Sequence, residues 1–410
     1  MSEIKSKKEI YSAIIIGFVF LQYLHYFDYV KYDIVLGGNI CKIMAIFVLL
    51  VFIFGKYPIN VCPSKKYVIG FVFIPMLSFI PCYFEHGQAF TESFRVYLPD
   101  MILLLYFYMH RKKVSVKTLI NILTFFAVAR TSILIVEQFT YPNYLFAFRP
   151  ETYNEYGILK SIEVRSGIYR FYISDTYLSQ FLIFYYFQKL TEKYRLKNLL
   201  LFIFGLVGLY LDQSRQFMAT TVFALVIISL LSSNFKHKKL AISLIILCGI
   251  IIYNFADTLF GFLMSKTNDE LNDDNIRYLS YYTYFSSFWG GPLSYLFGNG
   301  IAGNSAYGIE IQKLTLDYGL WRSDIGIVGF LNQFGYVSVL FFLLFYILFL
   351  RKNWKYIDVH LQMFFLASLL NLPLVVFFVN NTNWYVFWAF MMYILDESVV
   401  RNKNLAPRSC

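Results

Sequence analysis

Charge is scarce in this chain. Of its 410 residues only 15% are Asp, Glu, Lys or Arg, while 58% are hydrophobic, and mean hydropathy is +0.55. No soluble globular fold needs that balance, and a polytopic membrane protein does. Cysteine is sparse too. Cys41, Cys62, Cys82, Cys248 and Cys410 are the only five, and no close pair falls in a segment read as outward-facing. A disulfide framework is therefore not expected. The five histidines, His25, His86, His110, His237 and His360, lack metal-ligand spacing. There is no G-x-x-x-x-G-K-[ST] nucleotide loop, no defensible Ser/His/Asp arrangement, and no sequon at Asn304, which begins Asn-Ser-Ala. Neither a metal nor any other cofactor is expected from these residues.

What the chain has in abundance is apolar runs. A helix needs about 20 residues to cross the hydrocarbon core of a bilayer. The runs lie at roughly 10–27, 36–54, 67–84, 95–109, 118–139, 172–189, 199–212, 216–233, 240–260, 325–350, 360–379 and 384–397. They predict an all-α membrane protein of about twelve spans, a single integral membrane domain over 1–410. The first run, basic and then apolar with no small-residue cleavage site, reads as an uncleaved signal anchor.

The basic residues fall in alternate connections between these runs. Lys5, Lys7 and Lys8 precede the first. Lys56, Lys65 and Lys66 follow the second, and Arg111, Lys112, Lys113 and Lys117 the fourth. Lys189, Lys193, Arg195 and Lys197 follow the sixth, and Lys236, Lys238 and Lys239 the eighth. Arg351, Lys352 and Lys355 follow the tenth, and Arg401, Lys403 and Arg408 the last. These are 23 of the 36 basic residues, and the positive-inside rule puts them in the cytoplasm with both termini. The net charge of +11 is thus a topology signal and not a nucleic-acid footprint.

The residues left on the opposite side differ in kind. There arginine outnumbers lysine 7 to 4, whereas inside lysine outnumbers arginine 18 to 5. Topology needs only positive charge, so it does not explain the switch. Arginine offers a planar fork that grips phosphate oxygens through paired hydrogen bonds. The outer arginines are Arg95, Arg149, Arg165, Arg170, Arg215, Arg277 and Arg322. Pairing with the 17 outer carboxylates is the structural alternative. Arg215 stands out in LDQSRQF, a short turn between two spans, where snorkelling is the alternative to function. Arg130 lies in mid-span, with Glu137 two turns on along the same face and Asp100 as another potential partner. An ion pair and a ligand site both remain open for it.

The outer connection over about 261–324 is by far the longest, and too aromatic for disorder. In Asn275–Trp289, NIRYLSYYTYFSSFW, the apolar residues Ile276, Leu279, Tyr282 and Phe285 recur at helical spacing. A helix lying in the membrane interface fits. The Gly-rich stretch 290–308 follows and predicts a tight re-entrant turn. Asp324, in RSDIGIVGFLNQFG, stands where the long connection meets the next span. It reads either as a helix cap with Ser323 or as a proton acceptor beside Arg322.

Three elements in this order, SR at 214–215, Arg277 in an aromatic helix leading to LFGNG at 296–300, and RSDIGIVGFLNQFG at 322–335, resemble the O-antigen polymerase and O-antigen ligase superfamily. The resemblance covers about 199–350. It implies a GT-C-like membrane glycosyltransferase of the bacterial inner membrane, metal-independent, acting at the outer face on undecaprenyl-diphosphate-linked glycans as donor and acceptor. Membrane lipid and a chain-length regulator are the further partners it implies. By position Arg215 and Arg277 would hold the diphosphate, with Arg322, Arg130, Arg165 and Arg170 as further candidates, and Asp324 would act as base. The ligase branch has a His in the segment matching Asp324, so Asp here favours a polymerase over ligase-type transfer to lipid A core. A lipid-linked-glycan flippase or transporter is the main rival, and a surface acyltransferase a weaker one for want of a catalytic His pattern. Carriers usually show internal repeats, and none is visible.

Overall fold

The computed structural model describes residues 2–24, 34–55, 62–141, 164–165, 168–169, 171, 175–232, 242–243, 276–376 and 382–405. These residues are almost entirely helical. The one strand pair among them is a short antiparallel ladder, Val164–Arg165 with Ile168–Tyr169. Most of the run at 240–260, and the residues Arg149 and Arg170, lie outside the described residues. Three described helices are long and apolar enough to cross a membrane: Lys65–Phe84, Val116–Thr140 and Arg322–Tyr356. Shorter apolar helices cover Glu9–Leu24, Gly38–Phe54, Leu196–Leu211, Arg215–Leu231 and Val359–Asn371. Large apolar side chains such as Ile14, Phe18, Phe125, Phe139, Leu231 and Leu340 are exposed, as a protein embedded in lipid requires.

The chain forms two compact units. The first takes residues 1–40, 114–269 and 358–369, and the second takes 41–113, 270–357 and 370–410.

In the first unit, the Ser2–Leu24 helix buries Ile16, Val19, Phe20, Tyr23 and Leu24. That spacing of three and four residues defines a single face, and Phe20 packs on Phe126 of the Val116–Thr140 helix at 5.0 Å. Ser115 caps that helix by accepting from the Thr118 amide at 3.1 Å. The Thr176–Glu192 and Leu196–Leu211 helices form a tight antiparallel pair. Small residues permit the approach. A Cβ on Gly205 would fall 2.9 Å from Leu182 and one on Gly208 2.7 Å from the Ser179 hydroxyl, and the latter would also meet Thr131 of the Val116–Thr140 helix at 2.4 Å. Packing through small residues is what holds helices together where lipid removes the hydrophobic drive. Gln180 then ties in the Arg215–Leu231 helix, donating to Thr221 at 2.9 Å.

In the second unit, the Thr382–Leu405 helix is buried all round from Trp384 to Leu395. A helix apolar on every side belongs in a core, and Phe71, Phe342 and Phe345 pack against its Trp388. The run expected at 95–109 begins earlier, as a helix over Phe90–Tyr97, and tightens to a 3-10 segment over Leu98–Leu104. Pro99 explains the change, since it has no N–H to donate into an α-helix. Asp100 in this segment is buried and hydrogen bonded by Tyr385. About three turns further along the Thr382–Leu405 helix, buried Asp396 accepts from the Ser64 amide at 3.0 Å and from the Tyr106 hydroxyl, with His110 at 3.5 Å.

Candidate functional site

The long helix Gly326–Leu344 is interrupted. Gly335 has φ +75° and ψ 173°, a conformation open essentially only to glycine. The interruption frees carbonyls that the next turn would otherwise use. The Gly-rich strap takes them: the Asn299 amide donates to Asn332 O and the Gly300 amide to Gln333 O, both at 2.8 Å. Gly298 and Gly300 have φ +83° and +77°. A Cβ on Gly298 would stand 2.3 Å from Gln333 O, and one on Gly335 would stand 2.3 Å from Leu296 O. Glycine at both places lets the two backbones touch. The expected tight turn is therefore present, and it is bound to a broken helix.

A polar segment, 85–92, which runs into the first turn of the Phe90–Tyr97 helix, pins the strap from another side. Gln88 is fully buried. Its amide nitrogen donates to Ile301 O and Ser93 Oγ, and its oxygen accepts from the Gly303 amide and Ser305 Oγ, all between 2.8 and 3.0 Å. Glu85 accepts from the Leu293 and Ser294 amides at 2.8 and 3.0 Å and from the Ser294 hydroxyl. Its charge thus sits on the first turn of the Pro292–Phe297 helix, where anions are favoured. Glu92 accepts from the Asn304 amide and pairs with Arg95 at 2.5 Å. The Arg95 guanidinium holds the Glu92 carboxyl down at about 2. His86 stacks on Tyr307, ring centroids 4.3 Å apart, and its Nε2 lies 2.8 Å from Asn299 Oδ1.

Arg322 closes this end. It is 4% exposed. Its guanidinium lies over Tyr284, Phe288 and Tyr307 at 5.2, 5.5 and 5.8 Å, and such stacking suits arginine. Nη2 donates to the Tyr307 hydroxyl at 2.7 Å and Nη1 to Gly300 O at 3.2 Å. No carboxylate among the described residues pairs with it, and its Nε–H, like Asn332 Oδ1 and Gln333 Oε1, is buried without a partner. Burial pushes the Tyr307 phenol up to about 12, although Arg322 beside it acts the other way.

Asp324, two residues on, is exposed. It makes no cap bond; its carboxylate accepts from Ser323 Oγ at 3.2 Å. The capping role expected of the pair is therefore not what the acid does. Arg277 is half-buried in the Ile276–Tyr282 helix and close enough to Tyr281 to oppose the rise that burial gives its phenol. The expected apolar stripe, Ile276, Leu279, Tyr282 and Phe285, is exposed along its length.

The remaining candidates belong to the first unit. Arg215 is half-buried and opens the Arg215–Leu231 helix. Arg165 is in the short strand pair. Arg130 is fully buried, and both its terminal nitrogens donate to Asp212, with Nη1 also 3.2 Å from Ser179 Oγ. Its bidentate partner is thus neither of the acids considered from sequence. Asp212 comes from 82 residues away, and Asp100 is engaged by Tyr385.

Sequence reasoning missed His86, Gln88, Asn299 and Tyr307. His86 shows no metal-ligand spacing, and the only local signal of its segment is polarity between aromatic helices. No family model, curated protein or solved structure matches the chain, so the chemistry of this end rests on its own geometry.

Proposed function

We propose that the protein is a membrane-embedded polymerase of lipid-linked glycans, joining undecaprenyl-diphosphate-linked repeat units into a surface polysaccharide. In this reading about twelve helices cross the bacterial inner membrane in a GT-C-like arrangement, both termini are cytoplasmic, and the strap end of the second unit faces outward. The exposed stripe on the Ile276–Tyr282 helix then lies in the membrane interface, as an apolar face flanked by tyrosines prefers.

The observation that carries the reading is Arg322. It is a buried guanidinium held by three rings and two oxygens, with no carboxylate partner among the described residues and one N–H unused. Donors fixed in advance and shielded from water stabilise charge developing on a leaving group. In the proposed reaction a hydroxyl of one lipid-linked unit attacks the anomeric carbon of another. The bond to diphosphate breaks, Arg277 and Arg322 of the second unit neutralise the departing charge, and the motif order suggests Arg215 as a further diphosphate residue and Asp324 as the acid–base group. A single displacement inverts the anomeric centre. The transporter reading draws its support from Arg130, which is bonded to Asp212 within the first unit.

The test is the surface glycan of cells carrying Arg215→Ala or Arg277→Ala at wild-type protein levels. Loss of long chains, with single repeat units on the surface lipid, is expected. Normal long-chain polymer in both would sink the proposal. Intact polymer left on the carrier would indicate a ligase, and repeat units trapped in the inner leaflet a flippase.

A further inference from the structure

The bonding around Asn299 decides where the proton sits on His86. The Asn299 amide nitrogen donates to Phe288 O at 3.0 Å, and its oxygen accepts from the Gly290 amide at 3.1 Å. That orientation leaves only an acceptor facing His86 Nε2 at 2.8 Å, so Nε2 carries the hydrogen. In the neutral ring Nδ1 then bears a lone pair. Nδ1 has no partner among the described residues and is open to solvent, the ring being half-buried. The ring plane is fixed as well. Tyr307 lies 27° from parallel at 4.3 Å and Phe288 15° from parallel at 6.4 Å. Gly290 backs the protonated edge, where a Cβ would stand 2.5 Å from Nε2. An imidazole held by an amide at one nitrogen and presenting a bare lone pair at the other is the arrangement that proton transfer requires.

We propose that His86 Nδ1 is the proton acceptor of the transfer site. This rests on the glycosyl-transfer reading above and names its base. The hydroxyl proton of the attacking sugar passes to Nδ1. The oxygen forms its bond to the anomeric carbon, and the carbon–diphosphate bond breaks with its electron pair leaving on the diphosphate. His86 is then an imidazolium, stacked on Tyr307 and Phe288 rings whose faces favour a cation. His86 then takes over the acid–base role that the motif order suggests for Asp324, which is exposed and bonded by Ser323 and is left to orient the acceptor sugar.

The test uses the full-length protein in membranes of its own host. His86→Gln keeps an N–H donor toward Asn299 and replaces the basic ring nitrogen with an amide that does not take up a proton. Polymer synthesis at wild-type protein level is expected to fall about 100-fold or more. Wild-type membranes are treated in parallel with diethyl pyrocarbonate, which acylates accessible unprotonated imidazole nitrogens. His86 is expected to be modified before the buried His110 and His360. Long-chain polymer from His86→Gln overturns the proposal, as does labelling of His86 no faster than those two. If His86→Gln alone is normal while Arg215→Ala and Arg277→Ala are short-chained, the base is wrong and the transfer reading stands. If all three are normal, the reading itself fails.

Discussion

The Arg130–Asp212 pair permits a quantitative test of what a mid-helix arginine is for. Arg130 is fully buried and Asp212 nearly so, and the two meet in a fork. Removing one member strips the other charge of this fork in a medium that solvates it poorly, which costs about 3–5 kcal/mol. Replacing both with apolar groups of similar size removes the desolvation penalty along with the attraction, and the net change is then close to zero or slightly favourable. Arg130→Met and Asp212→Leu are therefore each expected to destabilise by about 3–5 kcal/mol. The double variant should lie within about 2 kcal/mol of wild type, so that the coupling is several kcal/mol, far outside the few tenths expected of independent sites. The assay is equilibrium unfolding of the detergent-solubilised protein, followed by circular dichroism for all four members of the cycle. Single variants as stable as wild type, or a double variant that loses the sum of both, would refute the reasoning. The same cycle separates structure from ligand binding. If the pair only holds helices together, the double variant functions as wild type once it folds; if Arg130 also holds a ligand, the double variant is stable and inactive.

Other consequences are equally open to measurement. Gly335→Ala forces a side chain into a positive-φ position with its Cβ 2.3 Å from Leu296 O; a loss of about 3 kcal/mol or more is expected in thermal unfolding. Gly208→Val would push on Thr131 and Ser179, and overpacking of this kind costs about 1–3 kcal/mol, read by the same assay. Glu92 has its carboxyl lowered from an ordinary 4.5 to about 2, so the stability it contributes is complete above the ordinary value and is lost as pH falls toward 2. Hydrogen exchange at the Asn304 amide, which Glu92 accepts, should accelerate across that window, and Glu92→Gln should remove the pH dependence.

Helices were legible where apolar runs were long, because a lipid-facing segment must satisfy its own backbone and leaves little choice of structure. Ser2–Leu24, Val116–Thr140 and Arg215–Leu231 all overlap runs read from sequence. The run at 95–109 was legible as apolar but not as a buried 3-10 segment, since burial depends on the Thr382–Leu405 helix, distant in sequence. Glycines announced a turn at 290–308, yet nothing local announced that Gly335 would break a helix to receive it. For Arg130 the sequence points along its own helix to Glu137, whereas the fork to Asp212 comes from a residue 82 positions away. His86 escaped notice because its role depends on Asn299, 213 residues away.

The strap over Asn299 and Gly300 is tied to the broken helix by main-chain atoms on both sides. Leu293, Tyr295 and Leu296, just ahead of the tie, are exposed and contribute no side chain to it. Their identities can therefore drift without loosening the scaffold, whereas Gly298 and Gly335 are locked. A protein built this way can change what its strap touches by surface substitutions alone, while the frame beneath stays as it is.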